Sequence, residues 1–163
     1  MAINNILALF GIEGPSWLQS SKWAMPAIVL ASVWKDMGYF GLMLMSGLQG
    51  INQEYYDAAA IDGAGKIKQF TRITLPLLTP TLFFVLIISL INSFQLFTQI
   101  MIMTPDGGPL GSTMVMVERI YKCGFRYYEM GTAAAYSWIL FAILLLLTMV
   151  QMKLQNKWVN YDD

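Results

Sequence analysis

The chain has 163 residues, 56% hydrophobic and only 12% charged, the balance of a membrane protein rather than of a soluble domain. Ten basic and ten acidic residues cancel, and the basic ones are scattered, which leaves no footprint for nucleic acid. The single cysteine, Cys123, excludes an internal disulfide, and the lack of histidine removes His-based acid–base catalysis, a Ser-His-Asp triad and most transition-metal sites. No catalytic residue, metal or cofactor is therefore expected.

Residues 1–22 read as an amphipathic piece, Ile3 to Ile12, and a loop through Trp17 to Lys22. Glu13, Gly11, Gly14 and Pro15 interrupt any longer helix, and no basic n-region of a secretory signal precedes them. Trp17 and Trp23 suit a membrane interface, and packing against a neighbouring segment accounts for them equally well. Residues 23–49 are long and apolar enough for a first span. Its only charges, Lys35 and Asp36, are adjacent near mid-span, where charge is expensive and faces a bundle interior or an aqueous path. They either border a translocation path or pair with neighbouring helices. Gly38, Gly41 and Gly47 allow close helix approach.

Residues 50–76 form a polar interruption. Within it Glu54 to Pro76, EYYDAAAIDGAGKIKQFTRITLP, is the longest run that mixes charges of both signs. Asp57 to Ile61 is alanine-rich, which predicts a helix with a shallow surface on which another protein can sit. Asp62-Gly63-Ala64-Gly65 predicts a turn, with glycines able to take positive φ. From Lys66 to Thr74, Ile67, Phe70, Ile73 and Thr74 fall at helical spacing, and Pro76 is expected to end that run. A surface that binds only lipid headgroups is the alternative reading of the same residues.

Residues 77–103 carry no charge and predict a second span, with Thr79-Pro80 as its start. Asn92, Gln95 and Gln99, spaced three and four apart, would share a helical face. Such amides either hydrogen-bond a passing solute or hold helices together. Residues 104–129 open on the turn cluster Thr104-Pro105-Asp106-Gly107-Gly108-Pro109, continue with Met114, Val117, Ile120 and Tyr121 at helical spacing, and end basic and aromatic. Residues 130–152, uncharged, predict the last span, begun by the small residues Gly131 to Ala135. Lys153, Lys157 and a short polar tail to Asp163 follow. Five basic residues in loop 50–76 and the tail against four in the segments on the other side (Lys22, Arg119, Lys122 and Arg126) do not settle orientation. Cys123 offers a thiol for probing it.

The order Asp57-Ala58-Ala59, three residues, Gly63, nine residues, Ile73, one residue, Leu75-Pro76 resembles the cytoplasmic "EAA" signature of the permease subunits of ABC importers fed by a solute-binding protein. Asp57 stands where the family pattern has Glu, which keeps the charge and shortens the arm. Thr104, Gly107-Gly108-Pro109, Thr113, Ile120-Tyr121 and Phe125 resemble the external loop of sugar-type members, so the chain is most similar to the carbohydrate and glycerol-phosphate branch of type I permeases. The resemblance implies an all-α, polytopic helical bundle in the cell inner membrane, here with three transmembrane helices and a cytoplasmic coupling helix. Residues 1–22 and loop 104–129 would be external, and loop 50–76 and the tail cytoplasmic. It implies ATPase docking through Asp57, Ala58, Ala59, Asp62, Gly63, Ala64, Ile73, Leu75 and Pro76. It also implies ABC ATPase subunits, a second permease subunit, an external solute-binding protein and membrane lipid as partners. ATP hydrolysis would fall to a partner, since the chain has no GxxxxGK[ST] loop. Family members have five or six spans, so the chain is expected to correspond to their C-terminal part. Two other classes stay open: a structural or assembly membrane protein, and an ion-coupled carrier, for which Asp36 is the one intramembrane acid.

Overall fold

The computed structural model describes residues 2–11 and 13–158, and these contain helices and turns but no strand. Of the expectations above, Ile12, the side chains of Ile3 and Lys157, and the tail from residue 159 to Asp163 lie outside the described residues. The helices are α1 (Ala2–Leu9), α2 (Ala24–Gln49), α3 (Gln53–Ile61), α4 (Lys66–Gln69), α5 (Leu75–Leu77), α6 (Thr79–Phe94), α7 (Thr98–Met103), α8 (Met116–Tyr121) and α9 (Met130–Trp158). The chain divides into two compact units, one of Met1–Lys35 and Phe94–Phe141, the other of Asp36–Ser93 and Ala142–Asp163.

Two helices are long and apolar enough to cross a membrane, Ala24–Gln49 and Met130–Gln155. Few of their side chains are buried: Ala24, Ala27 and Ile28 on α2, Ala133 and Leu140 on α9. Their apolar surface is thus left for lipid or for other helices. A third span exists if Lys66–Leu77 and Thr79–Phe94, whose axes differ by 61°, are counted together. The helical run read over 77–103 is interrupted. α6 ends at Phe94, a turn follows, and helix resumes only at Thr98. The uniform apolar periodicity of that stretch does not register the break.

In the unit of Asp36–Ser93, Pro76 does not stop the helix. Lys66–Gln69 continues through a π turn, Phe70–Thr74, into Leu75–Leu77. Leu75, the residue before the proline, stays α-helical at φ −65°, ψ −45°. The wide turn absorbs the ring that would otherwise crowd the preceding carbonyls. The axis bends two residues later, at Leu78. There Pro80 cannot donate to the Pro76 carbonyl, and the Thr79 hydroxyl does so instead at 2.6 Å. Of the three glycines of α2, Gly47 makes a close approach within this chain. A Cβ there would fall 2.9 Å from Leu78 Cδ1, whereas Gly38 and Gly41 face open space.

The unit of Met1–Lys35 and Phe94–Phe141 packs Trp17 into its interior. The indole N–H donates to Asn4 Oδ1 at 2.5 Å, and its ring meets Trp23 edge-on at 5.3 Å. Packing against a neighbouring segment is therefore realised for Trp17, while Trp23 stays partly exposed.

Candidate functional site

The segment that carries the signature folds as helix, turn, helix. α3 starts at Asn52, whose side chain accepts from the Glu54 amide at 3.1 Å, and Glu54 adds a favourable charge in the first turn. It ends in a Schellman arrangement: Gly63 N–H donates to Ala60 O at 3.0 Å and Ala64 N–H to Ala59 O at 2.9 Å. Gly63 sits at φ +73°, which explains a glycine at this spacing after the alanines. Gly65 does not use that freedom: at φ −67° it opens α4, with the Gln69 amide donating back to its carbonyl at 3.0 Å.

α3 buries none of its residues. Asp57, Ala58, Asp62 and Gly63 are exposed, Ala59 and Ala64 half-buried, and Gln53 Nε2 donates to Asp57 Oδ1 at 3.4 Å. Along the second helix Ile73 and Pro76 are half-buried and Leu75 exposed. The apolar face expected along the second helix is largely open: Ile67 is 83% and Phe70 55% exposed, Ile73 is half-buried and only Thr74 is buried, while Ile61 at the end of α3 is 88% exposed. The Tyr56 hydroxyl shares a 2.9 Å hydrogen bond with the Thr74 hydroxyl and ties the two helices together.

Thr104, Gly107, Gly108 and Thr113, read as one motif, come together. The fully buried Thr113 donates its hydroxyl proton to Thr104 Oγ1 at 2.9 Å, and its amide donates to Gly107 O at 2.9 Å. Pro109 opens the 3-10 turn Pro109–Gly111. Gly108 sits at φ +67°, ψ −170°, a region open to glycine alone, and a Cβ there would fall 2.6 Å from Thr113 Oγ1. The motif therefore pins the loop on itself.

Beside it lies a charge cluster that sequence reasoning did not single out. Lys122, 7% exposed, meets Glu118, 3% exposed, at 3.0 Å, and Asp106 at 3.7 Å, while Asp106 also pairs with Arg126. The Arg126 guanidinium holds the Asp106 carboxyl below its ordinary value, with Lys122 adding to the effect, and Asp106 raises Arg126 in return. Arg119 is raised by the Tyr136 hydroxyl on α9. The Glu118–Lys122 spacing of four was visible in sequence, but the contact of Asp106 with Arg126, 20 residues away, had no local signal. Phe97, Tyr121 and Phe125 stack in a row beside this cluster, with centroids 5.1 and 5.4 Å apart, along a cleft of about 360 Å³.

Asn92, Gln95 and Gln99 do not share a helical face, because α6 ends before Gln95 and Gln99 belongs to α7. Asn92 and Gln95 are exposed and Gln99 is half-buried. Lys35 is exposed and Asp36 half-buried on α2. Cys123 is buried, so it is a poor probe of sidedness.

Residues 1–161 match the family model described as the binding-protein-dependent transport system inner membrane component. The chain belongs to this family. It is 36% identical over 163 residues to the probable ABC transporter permease protein YesP of Bacillus subtilis, covering 99% of this chain and 52% of that protein. It is also 36% identical over 159 residues to the sn-glycerol-3-phosphate transport system permease protein UgpA of Pectobacterium atrosepticum, covering 96% of this chain and 54% of UgpA. The chain thus spans about half the length of these curated relatives. Among solved structures it matches a bacterial alginate ABC transporter in complex with an alginate pentasaccharide-bound periplasmic protein. There the TM-score is 0.82 at 23% identity, over 95% of this chain and 54% of that one. The fold is that of the type I ABC importer permease, and the chain is an inner-membrane component.

Proposed function

We propose that this chain supplies the coupling half of a permease that imports a sugar or related small polar solute at the expense of ATP hydrolysed by partner subunits. The observation that carries the reading is the helix, turn and helix from Gln53 to Leu77, which buries nothing on its first helix and holds Ile61, Ile67 and Phe70 in the open. Exposed large apolar side chains around a Schellman turn, with the exposed carboxylates Asp57 and Asp62 in the same segment, fit a protein partner better than lipid headgroups. The partner is the ABC ATPase, whose closure on ATP moves the hairpin. A second permease subunit completes the path and an external binding protein delivers solute. The names of the relatives, which refer to glycerol phosphate and to alginate, favour a polyhydroxylated solute.

Asn92, Gln95 and Gln99 with Lys35 and Asp36 are the candidate solute contacts. Support for the amides comes from the helix break after Phe94, which Asn92, Gln95 and Gln99 flank. At membrane depth such a break is tolerated only where protein or a watery cavity meets it. Amides both donate and accept, as sugar hydroxyls require. Thr104, Gly107, Gly108, Pro109 and Thr113 shape the loop on the external side.

The test is Gly63→Trp in the assembled transporter. The substitution should abolish uptake while the protein still inserts in the membrane at normal level. Uptake that remains coupled to ATP hydrolysis in this variant contradicts docking at α3. Asn92→Leu, Gln95→Leu and Gln99→Leu test the path, which requires altered solute competition in at least one of them.

A further inference from the structure

Because α3 buries none of its residues, a push on it reaches the rest of the chain only through its attachments. The Tyr56–Thr74 hydrogen bond, 2.9 Å long, joins residues 18 apart in sequence. Tyr56 is half-buried and Thr74 is 8% exposed, so the bond is shielded from water on the threonine side. Thr74 has a second engagement. Its carbonyl accepts from the Leu78 amide at 2.9 Å, the bond that carries the helix up to its 61° bend.

Beyond the bend the Thr79 hydroxyl closes the gap left by Pro80, so the arm is hydrogen-bonded across the change of direction. Leu78 is buried, and Leu78 and Thr81 lie against Gly47 of α2 so closely that a Cβ there would stand 2.9 Å from Leu78 Cδ1 and 2.5 Å from Thr81 Oγ1. A connected arm that turns at a buried residue resting on a neighbouring helix has the form of a lever.

We propose that the Tyr56–Thr74 hydrogen bond is the strut that makes α3 and the base of α6 move as one body, with the Leu78–Gly47 contact as its fulcrum. Tyr56 and Thr74 are positioning residues in this scheme: neither touches solute or nucleotide. The strut rests on the reading of α3 as the ATPase-docking helix, and concerns how displacement is passed on after docking.

The experiment places nitroxide labels at Ile61→Cys on α3 and Leu86→Cys on α6, in a Cys123→Ala background, and reads their separation in the assembled transporter with and without ATP plus vanadate. With the strut intact the distance distribution should be narrow and unchanged by nucleotide. Tyr56→Phe and Thr74→Val should each broaden it and make it nucleotide-dependent, and the double variant should be no worse than either. Thr74→Ser, which keeps the hydroxyl, should restore the parent distribution. A narrow, nucleotide-independent distribution in Tyr56→Phe or in Thr74→Val overturns the strut, as does Thr74→Ser behaving like Thr74→Val. Docking itself is read separately, from protection of Ile61→Cys against a thiol reagent by bound ATPase. Loss of that protection sinks the docking reading, while the label distances in the permease alone still decide whether α3 and α6 form one body.

Discussion

The hairpin of α3 to α5 and the loop from Thr104 to Glu129 both leave large apolar side chains in the open, but only the loop also buries a Glu–Lys pair and two threonine hydroxyls. In the hairpin positive φ is confined to Gly63, which adopts it without strain. In the loop three non-glycine residues, Asp106, Leu110 and Tyr128, take positive φ, between 54° and 63°. A segment that buries an ion pair and a hydroxyl pair and holds such backbone is fixed by its own contacts. The hairpin is tied instead by the Tyr56–Thr74 hydrogen bond between its helices. The contrast is between a loop held by buried polar pairs and a hairpin whose first helix buries nothing, the surface proposed above for docking.

The largest expected effect sharpens this difference. Lys122→Met leaves Glu118 buried without its cation and should destabilise the protein by about 3–5 kcal/mol. Lys68→Met on the exposed face of the hairpin should stay within about 0.5 kcal/mol. Denaturant unfolding in detergent compares the two, and equal costs would erase the distinction. Next come the glycines. Gly108→Ala combines a backbone region closed to alanine with a clash on Thr113, for about 1–3 kcal/mol. Gly63→Ala, at φ +73° with open space around it, should cost only about 1 kcal/mol. Thr113→Val removes one buried hydrogen bond and should cost about 1 kcal/mol.

The hairpin was legible because its signals are local. Alanines, a glycine at the C′ position and a four-residue turn each act within a few residues, and helix, turn and helix appear where the pattern puts them. Pro76 misled, because a π turn ahead of it lets the helix run on to Leu77. The break after Phe94 was illegible for the opposite reason: Gln95, Leu96 and Phe97 carry no glycine or proline to mark it. The motif from Thr104 to Thr113 was visible as a turn cluster, but its purpose of joining two buried hydroxyls needed the fold. The Asp106–Arg126 pair and the Tyr56–Thr74 bond span 20 and 18 residues and leave no periodicity to read.

The smallest expected effect concerns pH. Asp106 has a folded-state value below its usual 3.8, held there first by Arg126. Its contribution is therefore complete above the unfolded value and is lost as pH falls through the lower, folded one. Asp106 is exposed, so the loss should be slight and confined to pH below about 4. Unfolding midpoints followed from pH 8 downward should stay flat on its account until that range. An Asp106→Asn variant that shifts the midpoint near neutrality by as much as Lys122→Met would contradict the ranking.

Thiol labelling with and without the ATPase subunits tests the difference between the two regions most directly. Ile61→Cys on the hairpin and Leu110→Cys in the loop are comparably open, at 88% and 97% exposure for the native side chains. Both should react readily in the permease alone, while the native Cys123 stays buried. On binding of the ATPase, Ile61→Cys should become protected and Leu110→Cys should react as before. Equal reactivity of Ile61→Cys in the two states, or protection of Leu110→Cys instead, would contradict the assignment of the hairpin as the docking surface.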